Sequence, residues 1–218
     1  MWCIQVITPE YRERMYDVLD LYAEPYDAAF PVLGLDEKPK QLLEHSRTPM
    51  PMQPGKRAKE DYEYKRRGTA NIFMCVEPKA GRRLTRVTKQ RKKKDFAQYI
   101  KYIVKKYPKA KRLRIVLDNL NTHNETSLYE TFDKKEARAL LKKVEFHYTP
   151  KHASWLNVAE IEIGIMDTQC IRRRIKDITV LSEEVAAWNK KRNQKRAKIN
   201  WQYTRKKADK DLAKHYVP

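Results

Sequence analysis

Two short apolar runs, each closing on an acid, limit what this chain can fold into. FPVLGLDE (30–37) places Val32, Leu33 and Leu35 ahead of Asp36, and RLRIVLDN (112–119) places Ile115, Val116 and Leu117 ahead of Asp118. Runs this short and nearly continuous suit strands covered on both faces. Between them, TANIFMCVEP (69–78) and RRLTRVTK (82–89) flank Lys79, Ala80 and Gly81, the composition of a hairpin connection, so the first three strands form a meander. Residues 93–107 then carry Phe96, Tyr99, Ile100, Ile103, Val104 and Tyr107 at helical spacing against a lysine-rich face, and Pro108 ends that helix.

The remaining segments continue the alternation. Helical sequence runs from about Thr126 to Lys142, VEFHYTP (144–150) reads as a strand stopped by Pro150, and a helix follows Ser154 through WLNVAEIEIGIMDTQCI. LSEEVAAWNKKRNQ (181–194) reads as a helix capped by Ser182, and 204–215 as another. At the start, Thr8 as cap, Pro9 at the first helical position and Met15, Val18, Leu19 and Tyr22 predict a helix broken at Glu24 and Pro25. Residues 44–68, with Pro49, Pro51, Pro54 and Gly55 among basic residues, read as an extended loop or irregular arm. The expected class is α/β: a mixed five-stranded sheet flanked by helices. The expected division is a helical lead-in over 1–29, one sheet-bearing domain over 30–175 and a basic helical extension over 176–218.

Charge narrows the partners. The chain has 218 residues, with 48 Lys and Arg against 28 Asp and Glu, a formal charge of +20. Such a surplus favours a polyanion, nucleic acid first, because neutralising phosphates releases condensed counterions. The basic runs Lys65, Arg66 and Arg67, then Arg91, Lys92, Lys93 and Lys94, then Arg172, Arg173 and Arg174, and Lys190–Lys198 are candidate phosphate contacts; at least two of the four should line one DNA path. Cys3, Cys75 and Cys170 are too scattered for a zinc site or a disulfide scaffold, which suits a reducing cytoplasm. No apolar run reaches the length of a signal core or a membrane span.

Acids at strand ends sit at a sheet rim, where α/β architectures place ligands. Converging carboxylates there suit a pair of Mg²⁺ or Mn²⁺ ions for in-line phosphodiester chemistry. Alone, Asp118-Asn119 after a strand also reads as an ordinary turn and Asp36-Glu37 before Lys38-Pro39 as solvated loop, so the reading depends on several blocks occurring together.

Those blocks carry a resemblance. LDE (35–37), VLDNLNTH (116–123) and YTPKHASWLNVAE (148–160), with EYKRRGTANIF (63–73) between them and AAWNKKRN (186–193) after, resemble the signature blocks of IS630-group insertion-sequence transposases, relatives of the Tc1/mariner elements. The blocks occur in the family's order and span almost the whole chain. The resemblance implies an RNase H-like fold, a DDE transposase cutting and joining double-stranded DNA with two Mg²⁺ or Mn²⁺ ions, and assembly as a homo-oligomer on DNA in the bacterial cytoplasm, at the nucleoid. By motif position it makes Asp36, Asp118 and Glu160 the catalytic, metal-binding acids, with Glu37, Asn119 and His123 in support. Glu162 competes with Glu160, but two residues along a helix rotate a side chain by about 200°, so both cannot face one metal pair. The motif selects Glu160 and leaves Glu162 as a solvent- or DNA-facing acid. Trp155 and Leu156 are expected to pack the helix that carries Glu160.

Two departures from the family pattern bear on this reading. Val158 and Ala159 replace a common Pro-Ile that would fix the helix start. Only 35 residues precede Asp36, where family members carry a helix-turn-helix DNA-binding region, so a separately encoded region is an expected partner. Rival readings are a truncated, unproductive DNA-binding fragment, another RNase H-like nuclease, and a basic RNA-binding module.

Overall fold

The computed structural model describes residues 6–217, so Cys3 lies outside the described residues. Five strands form one sheet in the order β3-β2-β1-β4-β5. They are β1 (Val32–His45), β2 (Tyr64–Glu77), β3 (Arg82–Thr88), β4 (Leu113–Leu117) and β5 (Val144–Tyr148). The first three are an antiparallel meander, and β4 and β5 run parallel to β1. The mixed sheet flanked by helices is thus the architecture expected from the strand-helix alternation.

Period-two alternation divides the core. Leu33, Leu35, Phe73, Cys75, Leu84, Ile115 and Leu117 face α2 (Lys93–Lys106), α3 (Glu125–Thr131) and α4 (Lys134–Leu141). On the other face, Val76 and Val116 pack with α1 (Pro9–Ala23) and α7 (Arg205–Leu212). Ile72 and Met74 pack there with α5 (Ala159–Met166) and α6 (Ile178–Gln194). Helix α1 starts as its sequence predicts, with the Thr8 hydroxyl accepting from the Tyr11 N–H at 3.2 Å. No helix of the described residues is long and apolar enough to cross a membrane.

Several expectations need correction. Strand β1 does not stop at the acids but runs on to His45, and β2 begins at Tyr64 rather than 69. Only 46–63 is irregular, held by the isolated bridges Met50–Lys59 and Gln53–Lys56. The apolar alternation that marks a strand is missing at 64–69 because those residues are exposed on a two-stranded arm with no core to face. The helical stretch 126–142 is two helices, because Asp133 caps a new start by accepting from the Glu136 N–H at 2.8 Å. Ser154 opens a 3₁₀ turn, Ser154–Leu156, and α5 begins only at Ala159, passing into a π-helical turn at Asp167–Ile171. Helix α6 begins four residues before Ser182, capped by Asp177.

Candidate active site

Strand β1 outruns its parallel neighbour. Its pairing with β4 covers Val32, Leu33 and Gly34 only, while its pairing with β2 continues past Asp36. Asp36 therefore stands where the β4 side of β1 falls open, although the strand itself continues. Asp118 follows the last residue of β4. Both acids border the same notch in the sheet, for different reasons: one by strand termination, the other by divergence.

Alternation sends the adjacent acids of β1 to opposite faces. Glu37 lies on the α2 side, its side chain 5% exposed. There its carboxylate meets His123 Nε2 at 2.8 Å, and His123 Nδ1 meets Asp118 at 2.5 Å. The imidazole is fully buried against the Phe96 ring, with centroids 4.8 Å apart. Burial alone would lower the His123 pKa, but two carboxylates overcome it and push the ring up to about 9. His123 is thus a buried cation joining Glu37 to Asp118. Burial likewise raises the Asp118 carboxyl, yet the hydrogen bond and charge of His123 outweigh it and hold the pKa below the ordinary range. Arg91 approaches Glu37 from solvent at 3.5 Å, so its basic run starts at this rim.

Asp36 has no such cation. Burial pushes its carboxyl up to about 7, and the charges of Asp118, Glu160 and Glu37 add to the rise, opposed by the Glu37 N–H donated to it at 2.7 Å. Glu160, exposed in the first turn of α5, is therefore close enough to act on Asp36. A half-buried carboxylate surrounded by three others is the electrostatic condition that a bound cation relieves. Hard oxygen donors are also the right chemistry for Mg²⁺ or Mn²⁺. The donor type suits such an ion, but among the described residues no three His, Cys, Asp or Glu side chains are grouped so as to hold one.

The start of α5 is built without the proline. The Val158 N–H, which a proline would lack, donates to the buried Tyr22 hydroxyl at 3.1 Å. The Asn157 side chain accepts from the Ala159 N–H at 3.1 Å and donates to the Leu35 carbonyl at 2.8 Å. It thereby ties α5 to β1 one residue before Asp36. Gly34 permits this approach, since a Cβ there would lie 2.5 Å from Val158 Cγ1 and 3.0 Å from the Ala159 nitrogen. Neither Gly34 nor Asn157 drew attention in the sequence as a site residue; a glycine inside an apolar strand was the available signal. Leu156 is buried and Trp155 partly so, packing beside this joint.

Glu162 is neither solvent- nor DNA-facing. It is fully buried, 2.8 Å from Arg83 of β3 and 2.7 Å from Arg192 of α6. Among the other candidates, Asn119 is exposed beside Asp118. His147 pairs with Asp17 at 2.8 Å, away from the acids. Arg174 lies over the Tyr64 ring and donates to the Glu63 carbonyl at 3.1 Å, which brings the 172–174 run onto the arm that carries Lys65–Arg67. Arg192, within the fourth run, is engaged with Glu162.

Comparison with known proteins bears on the family and the fold. Residues 31–182 match the family model of the DDE superfamily endonuclease. No curated protein matches the chain. Among solved structures it resembles the mariner Mos1 paired end complex with Mg, with a TM-score of 0.57 and 13% identity over 100% of this chain and 66% of that one. It resembles the Mos1 mariner paired end complex with Mn with a TM-score of 0.55 and 13% identity over 88% of this chain and 58% of that one. For the Mos1 strand transfer complex the TM-score is 0.53 at 12% identity, over 83% and 54%. The chain thus spans between about half and two thirds of the length of these structures. At such identity the likeness speaks for the fold, an RNase H-like mixed sheet, and the family match covers most of the chain. This chain belongs to the DDE superfamily endonuclease family.

Proposed function

We propose that the chain is the catalytic part of an IS630-group transposase, related to Tc1/mariner elements, which cuts the ends of an insertion sequence and joins them to target DNA. The observation that carries this reading is the match of residues 31–182 to the DDE superfamily endonuclease model, a span that holds Asp36 on β1, Asp118 after β4 and Glu160 on α5. Their order and blocks match the family's, and the structures of similar fold are complexes named for paired ends and strand transfer.

In this reading Asp36, Asp118 and Glu160 hold divalent cations, Mg²⁺ or Mn²⁺. Bound there, such ions supply Lewis acidity to the attacking and leaving oxygens of an in-line displacement at phosphorus. The protein's own groups set the stage. His123 orients Asp118, and Glu37 in turn fixes the His123 ring, so the carboxylate need not search for its rotamer when DNA arrives. Cleavage by water frees a 3′-hydroxyl, and that hydroxyl then displaces a second 3′-oxygen in target DNA with the same geometry, without a covalent protein intermediate. Basic residues of the arm and of 172–174 hold phosphates, which makes binding fall steeply with salt. The active form is a homo-oligomer on paired ends in the bacterial cytoplasm, with end recognition supplied by a DNA-binding region.

The test is nicking and strand joining of a labelled duplex carrying the element's end, with Mg²⁺ or Mn²⁺, by the chain alone and fused to an N-terminal DNA-binding region. Metal-dependent cutting lost in Asp118→Asn and Glu160→Gln is the expected result. A fusion that binds the duplex yet never cuts overturns the proposal.

A further inference from the structure

Helix α5 poses a packing problem that hydrophobicity does not solve. Its sequence AEIEIGIM sets isoleucines on several sides, with Ile161 exposed, Ile163 buried and Ile165 partly buried. A rotation that exchanged Ile161 for Ile163 would bury the same kind of surface. Gly164 adds backbone freedom inside the helix and has open space around it. Anchoring by Asn157 and Tyr22 fixes where the helix begins but acts only at its first residues. The direction in which Glu160 points needs a further constraint.

That constraint lies at Glu162. Arg192 binds with Nε at 2.7 Å to one oxygen and Nη2 at 3.2 Å to the other, while Arg83 Nη2 takes the second oxygen at 2.8 Å. The next residue of α6, Asn193, accepts from the Arg83 N–H at 2.7 Å and donates to the Arg83 carbonyl at 2.8 Å. Two adjacent residues of α6 therefore lock β3 and α5 together. Arg83 is fully buried, and its Nε and Nη1 have no hydrogen-bond partner among the described residues. Stability alone gives little reason to keep such a group, because apolar replacement of a buried ion triad is often neutral or stabilising. Directionality does give one: only one rotation of α5 brings Glu162 to both guanidinium groups.

We infer that Arg83, Glu162 and Arg192 are positioning residues that set the rotation of α5 and so aim Glu160 at Asp36. This rests on the reading of Glu160 as a metal ligand. The experiment replaces the triad without leaving an orphan charge, as Arg83→Met/Glu162→Leu/Arg192→Met in the full chain, and reads three quantities: thermal melting, Mn²⁺ affinity of the DNA-free protein by electron paramagnetic resonance, and cleavage kinetics. The triple variant is expected to melt at or above the wild type. Its Mn²⁺ affinity should fall roughly tenfold, and kcat about 100-fold with KM for DNA unchanged. If the triple variant does not fold, Arg192→Met, which leaves the buried Arg83–Glu162 pair intact, carries the same readouts. A folded variant that binds Mn²⁺ and cleaves like the wild type overturns the inference, as does a wild-type Mn²⁺ affinity indifferent to Glu160→Gln. If Mn²⁺ binding depends on Glu160 but the wild type never cuts DNA even when fused to the DNA-binding region, the proposed function fails, and the inference is decided by the Mn²⁺ affinity of the variant.

Discussion

Glu160 and Glu162 stand two residues apart on one helix, and the fold treats their charges in opposite ways. Glu162 is fully buried and neutralised by two guanidinium groups. Glu160 is exposed, and its charge adds to the rise of the Asp36 pKa. At one site the protein supplies the counter-charge itself. At the other it assembles anions and supplies cations to Asp118 and Glu37, through His123 and, from the rim, Arg91, but none to Asp36. A carboxylate with its partners built in is structural. One left with other carboxylates for neighbours is where the proposed function puts a ligand that brings positive charge.

The largest effect that would break this contrast is on catalysis. Asp36→Asn, Asp118→Asn and Glu160→Gln should each cut the metal-dependent cleavage rate by about 1,000-fold or more, roughly 4 kcal/mol of transition-state stabilisation, in single-turnover assays. Glu162→Gln measured beside them separates the two kinds of acid by stability. Breaking a buried pair leaves Arg83 uncompensated at a cost of about 3–5 kcal/mol, which lowers the melting temperature by about 10 °C in a chain of this size. Glu160→Gln, by contrast, removes repulsion and should melt at or above the wild type. Equal melting of the two variants would erase the distinction.

A smaller effect comes from the joint between α5 and β1. Gly34→Ala places a methyl group against Val158 and the Ala159 nitrogen. It should cost about 1–3 kcal/mol and reduce cleavage roughly tenfold by displacing Glu160, with DNA binding by fluorescence anisotropy unchanged.

The smallest effect is the pH dependence of the metal-free protein. Asp36, pushed from 3.8 up to about 7, binds its proton more tightly in the folded chain, so its contribution erodes stability as pH rises from about 4 to 7. His123, pushed from 6.5 up to about 9, gives stability that is complete below about 6.5 and lost as pH rises through 9. Melting curves should show the lower window abolished by Asp36→Asn and by saturating Mg²⁺, and the upper one by His123→Gln. A melting temperature flat from pH 4 to 7 would remove the argument that Asp36 is held in an anionic setting.

Much of this was legible without coordinates, and the reasons are local. Short apolar runs, turn residues and the stripe on α2 gave the order of strands and helices, because each is encoded within a few neighbouring residues. The Thr8 cap and Pro9 placed α1 for the same cause. The length of β1 and β2 was not legible, since the first residues of β2 are exposed and the outer half of β1 buries Leu42 alone, too little to leave a pattern. Asp177 was passed over as the cap of α6 in favour of Ser182 because several polar residues near a helix start look alike until the first free N–H groups are located.

By itself, the sequence determined the class of the sheet, the three acidic blocks and their order, and the basic surface, all of which follow from residue type and short-range periodicity. Tertiary structure alone decided how the acids are used. It set Asp36 at a notch by letting β1 outrun β4, joined Glu37 to Asp118 through a histidine 86 residues from Glu37, and gave Glu162 an arginine 79 residues away. The physical reason is that a carboxylate's role depends on the charges and the burial around it. Those come from segments that only the folded chain brings together.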